Sequence, residues 1–301
     1  MKELVIGEIS RINSIKYTDK AAVLFGGKKN TWSQFDRSVN RLANMLIGSG
    51  FRKGDRLAFL SQNSQEYLEW YFACAKAGVI VVPINYRLVE NEISHLLGHS
   101  EPKGMIVSDD YFDVVESLKR RCPLSIYYGT GDCDRNWLVE IDKEVKKYPD
   151  NPPDENVEED DAFCIIYTSG TTGAPKGAVS THKNYILNAL ATINAQRIVS
   201  DDINLVVAPL YHAGALFHSF SYAMQGCSQV VMKRFDPRQL LEIVQNEQIT
   251  SCLMIPTMLN FFLNDPNFNQ FDTSSLKKIF YGGGPMPSAL LERGFKQLQN
   301  V

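Results

Sequence analysis

Residues 167–177 read YTSGTTGAPKG, and an apolar run, AFCIIY at 162–167, leads into them. Within this stretch stand three glycines, a proline, a lysine and a row of hydroxyl side chains. The pattern predicts a strand, a glycine-rich loop and a following helix, an order that offers backbone N–H groups and a helix N-terminus to an anion. Ser169, Thr171 and Thr172 add hydroxyl donors. Gly170, Gly173 and Gly177 let the backbone approach a ligand closely, and Lys176 supplies a mobile positive charge. Such a donor set suits a triphosphate tail. A Walker A loop requires lysine between glycine and Ser/Thr, but Lys176 stands between Pro175 and Gly177. G-x-G-x-x-G is absent as well, because Thr171 and Thr172 separate Gly170 from Gly173. The competing reading, a surface loop with no ligand, fits poorly with so many hydroxyls beside a lysine and a buried strand.

Outward from this stretch the chain alternates between helix and strand signals. Upstream, apolar Phe35, Val39, Leu42 and Leu46 recur at helical spacing. Strands are predicted at 57–60, 79–84, 105–107 and 124–128, with helices at 90–97 and 111–119 between the later ones. Downstream, helices are expected from about Lys183 to Gln196, after Ala213, after Asp236-Pro237, from Thr257 and after Pro287. The strands INLVVAP, QVVMK, SCLMI and KKIFYG alternate with them. Strand–helix–strand succession implies parallel pairing with helices on the sheet faces. The expected fold is therefore α/β, two stacked doubly wound and mostly parallel sheets. PDNPPDENVEEDD at 149–161 breaks the rhythm and reads as a solvated connector. It divides the chain into a first α/β subdomain at 1–160 and a second at 161–301.

Composition excludes several classes. A net charge of −3 and a pI near 6.0 give no electrostatic footprint for nucleic acid. The N-terminus carries Glu3 and Glu8 where a signal peptide needs an apolar core. The longest apolar run, Ala77 to Ile84, is far short of the roughly 18 residues of a membrane span. Six cysteines without a CxxC pair or metal-ligand spacing read as reduced thiols of a cytoplasmic protein. No residue is singled out as a metal ligand.

YTSGTTGAPKG resembles the phosphate-loop signature of the adenylate-forming superfamily, which includes acyl-CoA synthetases, luciferases and peptide-synthetase adenylation domains. VVPINYRL (81–88), PLYHAGAL (209–216), IPTML (255–259) and YGGGPMP (281–287) resemble its other signatures in the expected order. The resemblance runs from about residue 25 to the end of the chain. It implies a two-step reaction: a carboxylate attacks the α-phosphate of Mg²⁺-bound ATP, and a thiol, commonly coenzyme A, then takes the acyl group. Catalysis would rest on positioning and on neutralising phosphate charge.

By this resemblance Thr168, Ser169, Gly170, Thr171, Thr172, Gly173 and Lys176 would cradle the β- and γ-phosphates. Gly282, Gly283, Gly284 and Pro285 would border the adenine, although three glycines after a strand also suit a plain turn. His212 would sit beside the reacting carboxylate, and with Lys176 it forms the expected catalytic pair. The helix after His212, with Phe217, Phe220 and Tyr222, reads equally as acyl pocket or as core. IPTML resembles the acyl and coenzyme tunnel of fatty-acyl ligases. Residues 213–225 hold no carboxylate to pair with an amine, which favours a hydrophobic, fatty acid over an amino acid. The family's later signatures would fall beyond Val301: a YGxTE-like segment, a TGD-like aspartate, and a small C-terminal domain with a catalytic lysine. The chain thus reads as the N-terminal portion of such an enzyme. A nucleotide- or acyl-binding module and an aryl- or amino-acid-adenylating relative are the alternatives. A homodimer and peripheral membrane association stay open.

Overall fold

Thirteen strands in two sheets organise the computed structural model, which describes residues 4–168, 175–298 and 300–301. In chain order they are β1 (Ala21–Phe25), β2 (Lys28–Thr31), β3 (Arg56–Leu60), β4 (Ile80–Pro83), β5 (Gly104–Ser108), β6 (Ile126–Thr130) and β7 (Val139–Glu140). They continue with β8 (Ala162–Thr168), β9 (Lys176–Thr181), β10 (Ile203–Val206), β11 (Ser228–Val231), β12 (Ser251–Met254) and β13 (Lys278–Tyr281). One sheet runs β7-β6-β5-β3-β4-β8-β9 and the other β13-β12-β10-β11-β1-β2. Every neighbouring pair is parallel except the last of each, β8 with β9 and β1 with β2. This is the α/β, mostly parallel architecture that the alternation predicts.

Each sheet belongs to one compact unit. The first unit takes residues 1–16, 33–62 and 66–187, and the second takes 17–32, 63–65 and 188–301. These units interleave along the chain, and neither is one continuous segment. β8 pairs in parallel with β4 at Val81 and Cys164 and in antiparallel with β9, so the phosphate-loop strand belongs to the first unit. Conversely, β1 pairs with β11, Val23 opposite Gln229, and draws the early hairpin into the second unit. The acidic run is also more than a connector. Asn40 and Asn44 donate to the carbonyls of Asp150, Pro149 and Asn151, while Lys53 pairs with Asp161 at 2.6 Å.

Apolar burial builds both units. In the first, Leu60, Val82 and Val107 of the central strands pack with Ile93, Leu96 and Leu97 of helix Glu90–Ser100 and Val115 of helix Phe112–Leu118. In the second, Leu205, Val230 and Cys252 pack with Leu240, Leu241 and Val244 of helix Pro237–Asn246 and Phe262 of helix Pro256–Leu263. Each fully buried Leu or Phe side chain contributes roughly 1.5–3 kcal/mol. The start of helix Pro237–Asn246 follows the sequence reading: Gln239 N–H donates to the Asp236 carboxylate at 2.8 Å, with Pro237 in the first turn. All six cysteines are free. Among the described residues no helix is long and apolar enough to cross a membrane.

Candidate active site

In the second unit three sequence motifs follow the carboxyl ends of three adjacent parallel strands. PLYHAGAL follows β10, IPTML follows β12 and YGGGPMP follows β13. The chain runs from β10 to β11 on one side and then to β12 on the other, so the strand order reverses about β10. In open α/β sheets such a switch point, outside the carboxyl ends, is where ligands bind. Topology therefore gathers motifs that lie far apart in sequence.

His212 stands at the mouth of this region as the N-cap residue of helix Ala213–Met224, with an extended backbone and an exposed ring. Its N–H donates to Pro209 O at 3.0 Å, and its carbonyl accepts from Leu216 at 3.1 Å. The imidazole does not cap the helix and packs against the Tyr211 ring at 4.2 Å. Asn63 holds the approach to His212, a role the sequence reading missed. Buried, it donates to the carbonyls of Ala208 and Met232 at 3.0 and 3.3 Å and accepts from Leu210 N–H at 2.8 Å. Its only sequence signal is a lone asparagine between a strand and a helix.

The triple glycine emerges from β13 half-buried at Gly282 and exposed from Gly283 through Pro285. Gly283 has φ +74°, a conformation that favours glycine, and an added Cβ there would come within 3.3 Å of Ile255. A Cβ added at Gly282 or Gly284 would meet nothing within 4 Å. No protein contact requires glycine at those two positions. The space before them is open, as a planar ligand lying against the backbone would need.

The phosphate-loop stretch differs from the expected strand–loop–helix. Lys176–Thr181 is a strand antiparallel to β8, and the helix, His182–Gln196, begins only after it. The loop thus joins two strands of a hairpin and does not lead into a helix N-terminus. Ser169, Gly170, Thr171, Thr172 and Gly173 lie outside the described residues. Their flanks are described: Thr168 is in register with Lys176, both exposed, and Tyr167 is opposite Gly177. Gly177 leaves space for its neighbours, because a Cβ there would come within 2.9 Å of Ile165 and 3.2 Å of the Tyr167 ring. The Tyr167 hydroxyl hydrogen-bonds His99 Nδ1 at 2.6 Å and so ties the entering strand to helix Glu90–Ser100. Burial raises the Tyr167 pKa, keeping it a neutral phenol.

At the base of the hairpin His182 is buried against Phe163, its Nδ1 accepting from Ile6 N–H at 3.4 Å. Burial pushes its pKa down to about 4. Elsewhere in the first unit a cavity of about 800 Å³, lined by Glu8, Arg11, Lys76, Pro153 and Asn156 among others, contains none of the predicted site residues.

Comparison with known proteins shows the family to which the chain belongs. A feruloyl-CoA synthase of an Amycolatopsis species is 36% identical over 273 residues, which cover 90% of this chain and 53% of that protein. A long-chain-fatty-acid–CoA ligase of Mycobacterium tuberculosis is 31% identical over 265 residues, 87% of this chain and 51% of the ligase. The chain thus spans about half the length of the curated relatives it matches. Among solved structures, the inhibitor-bound N-terminal domain of FACL13 from M. tuberculosis superposes with a TM-score of 0.91 at 28% identity, covering 99% of this chain and 74% of that one. The family described as AMP-binding enzyme matches residues 12–301. The chain belongs to the AMP-binding, adenylate-forming enzyme family.

Proposed function

We propose that this chain supplies the nucleotide- and acid-binding part of an AMP-forming acid–CoA ligase. The observation that carries the reading is the β8–β9 hairpin, which sets Lys176 opposite Thr168 at the two ends of a hydroxyl-rich loop. In the proposed first step a carboxylate oxygen bonds to the α-phosphorus of ATP as the bond to the β-phosphate oxygen breaks, releasing pyrophosphate. The Lys176 ammonium neutralises charge on the departing phosphates, and Thr168 donates a hydroxyl beside it. Gly282, Gly283, Gly284 and Pro285 receive the adenine, and His212 orients the carboxylate. A thiol, that of coenzyme A, then attacks the acyl carbon and AMP leaves. Among the described residues no three His, Cys, Asp or Glu side chains stand together as a metal site. No residue is assigned to coenzyme A.

The acid is proposed to be hydrophobic, fatty or aryl. Helix Ala213–Met224 carries no carboxylate, and it buries Leu216, Phe220 and Tyr222. The feruloyl and long-chain relatives act, by their names, on an aryl and an alkyl acid respectively. Carboxylate-dependent ATP–pyrophosphate exchange, run with alkyl and aryl acids, tests the reading. Exchange that requires one class of acid and falls at least about tenfold in Lys176→Ala supports it. Acid-dependent exchange that survives this substitution unchanged removes the hairpin from the mechanism.

A further inference from the structure

Helix Glu90–Ser100 buries Ile93, Leu96, Leu97 and Ser100 and leaves two histidines exposed, His95 and His99. One helical turn separates them, so they share a face, and their rings lie at 24° to each other with centroids 6.4 Å apart. Two imidazoles four residues apart are the arrangement by which one face of a helix chelates a transition metal. HLLGH at 95–99 lacks the glutamate that follows the first histidine in a metalloprotease. The pair therefore offers ligands without a general base.

Exposed histidines on a solvated face are ordinary, and spacing alone would carry no site. His99 differs because its ring is held. Its Nδ1 shares a hydrogen bond of 2.6 Å with the Tyr167 hydroxyl, and the Tyr167 ring meets it edge-on at 5.6 Å and 81°. Tyr167 is fixed in turn within β8, opposite Gly177. An Nδ1–H donating to the phenol oxygen leaves the lone pair on Nε2, the nitrogen a metal would take. A partner on the second ring nitrogen is what orients a metal-binding histidine and fixes its tautomer. Metal–nitrogen bonds of about 2.1 Å need the two rings somewhat closer, which a turn of the exposed His95 side chain supplies. Among the described residues no third His, Cys, Asp or Glu joins the pair, so water would complete the coordination. Nitrogen donors without a carboxylate suit zinc, nickel or copper and do not suit magnesium.

We infer that His95 and His99 form a binding site for a divalent transition metal, with Tyr167 as its positioning residue. The inference stands apart from the proposed adenylating function. Tyr167 immediately precedes Thr168, but neither histidine is among the residues proposed to meet the nucleotide or the acid.

The test is calorimetric titration of the untagged chain with nickel chloride and, separately, with magnesium chloride. The wild type is expected to take up one nickel ion per chain and to give no binding heat with magnesium. His95→Gln combined with His99→Gln should abolish nickel binding while leaving the melting temperature unchanged, because both side chains are exposed. Tyr167→Phe keeps both ligands and loses only the hydroxyl, and it should weaken nickel binding about tenfold. His212→Gln removes the remaining exposed histidine and should leave nickel binding as it is in the wild type. A wild type that binds no nickel, binding that survives in the folded double variant, or binding lost in His212→Gln overturns the site. Wild-type affinity in Tyr167→Phe overturns the positioning role of the phenol.

Discussion

Two buried titratable groups, one in each unit, are treated in opposite ways. In the first unit Lys76 donates to Asp36 and to Asn40, each at 2.6 Å, and Ser10 donates to the same Asp36 oxygen at 2.6 Å. Asn40 completes the set by donating to the other Asp36 oxygen at 3.3 Å and to the Asp150 carbonyl at 2.9 Å. Burial lowers the Lys76 pKa while the Asp36 charge pulls it back upward. In the second unit His218 is buried to a similar degree, yet its Nε2 is left with nothing. The Lys76 network holds helices and connector together, even though it borders the 800 Å³ cavity. The contrast separates a buried polar group whose bonds are completed within the protein from one with an atom left unpaired.

The largest expected effect breaks the closed side of that comparison. Lys76→Met leaves the Asp36 carboxylate buried without its cation and should cost about 3–5 kcal/mol of stability in urea denaturation. Adding Asp36→Leu should restore much of the loss, because a buried pair replaced by apolar side chains is often near neutral. A double variant as unstable as the single one would show that the network contributes through more than its charges.

A smaller effect separates the open side by pH. His182 and His218 are held at about 4 and about 3 in the folded state, against 6.5 for the free side chain. The unfolded chain therefore takes up protons that the folded chain refuses, and stability falls as pH drops below about 6.5. Each histidine should cost about 2 kcal/mol between pH 7 and pH 5. In His218→Leu the pH-dependent loss should shrink by about that amount, while a variant with unchanged pH dependence would mean that His218 titrates freely.

The smallest prediction concerns neither site and calibrates both. Asp236→Ala removes the cap of helix Pro237–Asn246 and should lower stability by about 1 kcal/mol. A loss as large as that from Lys76→Met would show that local capping and the buried network cannot be ranked in this way.

Much of this molecule was legible in its sequence because the signals were local. The parallel strands announced themselves as β-branched runs, and Asp236-Pro237 announced a helix start. What stayed hidden depended on partners distant in sequence. Nothing near Val23 points to Gln229, about 200 residues away, so the early hairpin could not be placed in the second unit. β9 was missed because Gly177 and Ser180 dilute the strand pattern of Lys176–Thr181; its identity comes from pairing with β8. Phe217, Phe220 and Tyr222 form an aromatic stripe in the sequence, but His218 beside them carries no signal, because a missing hydrogen bond is visible only in the fold. Asn63 was hidden for the same reason: its three bonds are all to backbone groups more than 140 residues away.

The most direct test of the central claim, that the β8–β9 hairpin grips the outer phosphates of a nucleotide, is equilibrium binding of ATP and of AMP to the wild type and to Lys176→Ala. If Lys176 contacts the β- and γ-phosphates, ATP affinity should fall about tenfold or more in the variant while AMP affinity stays within about twofold. Equal losses for the two nucleotides, or no loss for either, would contradict the account.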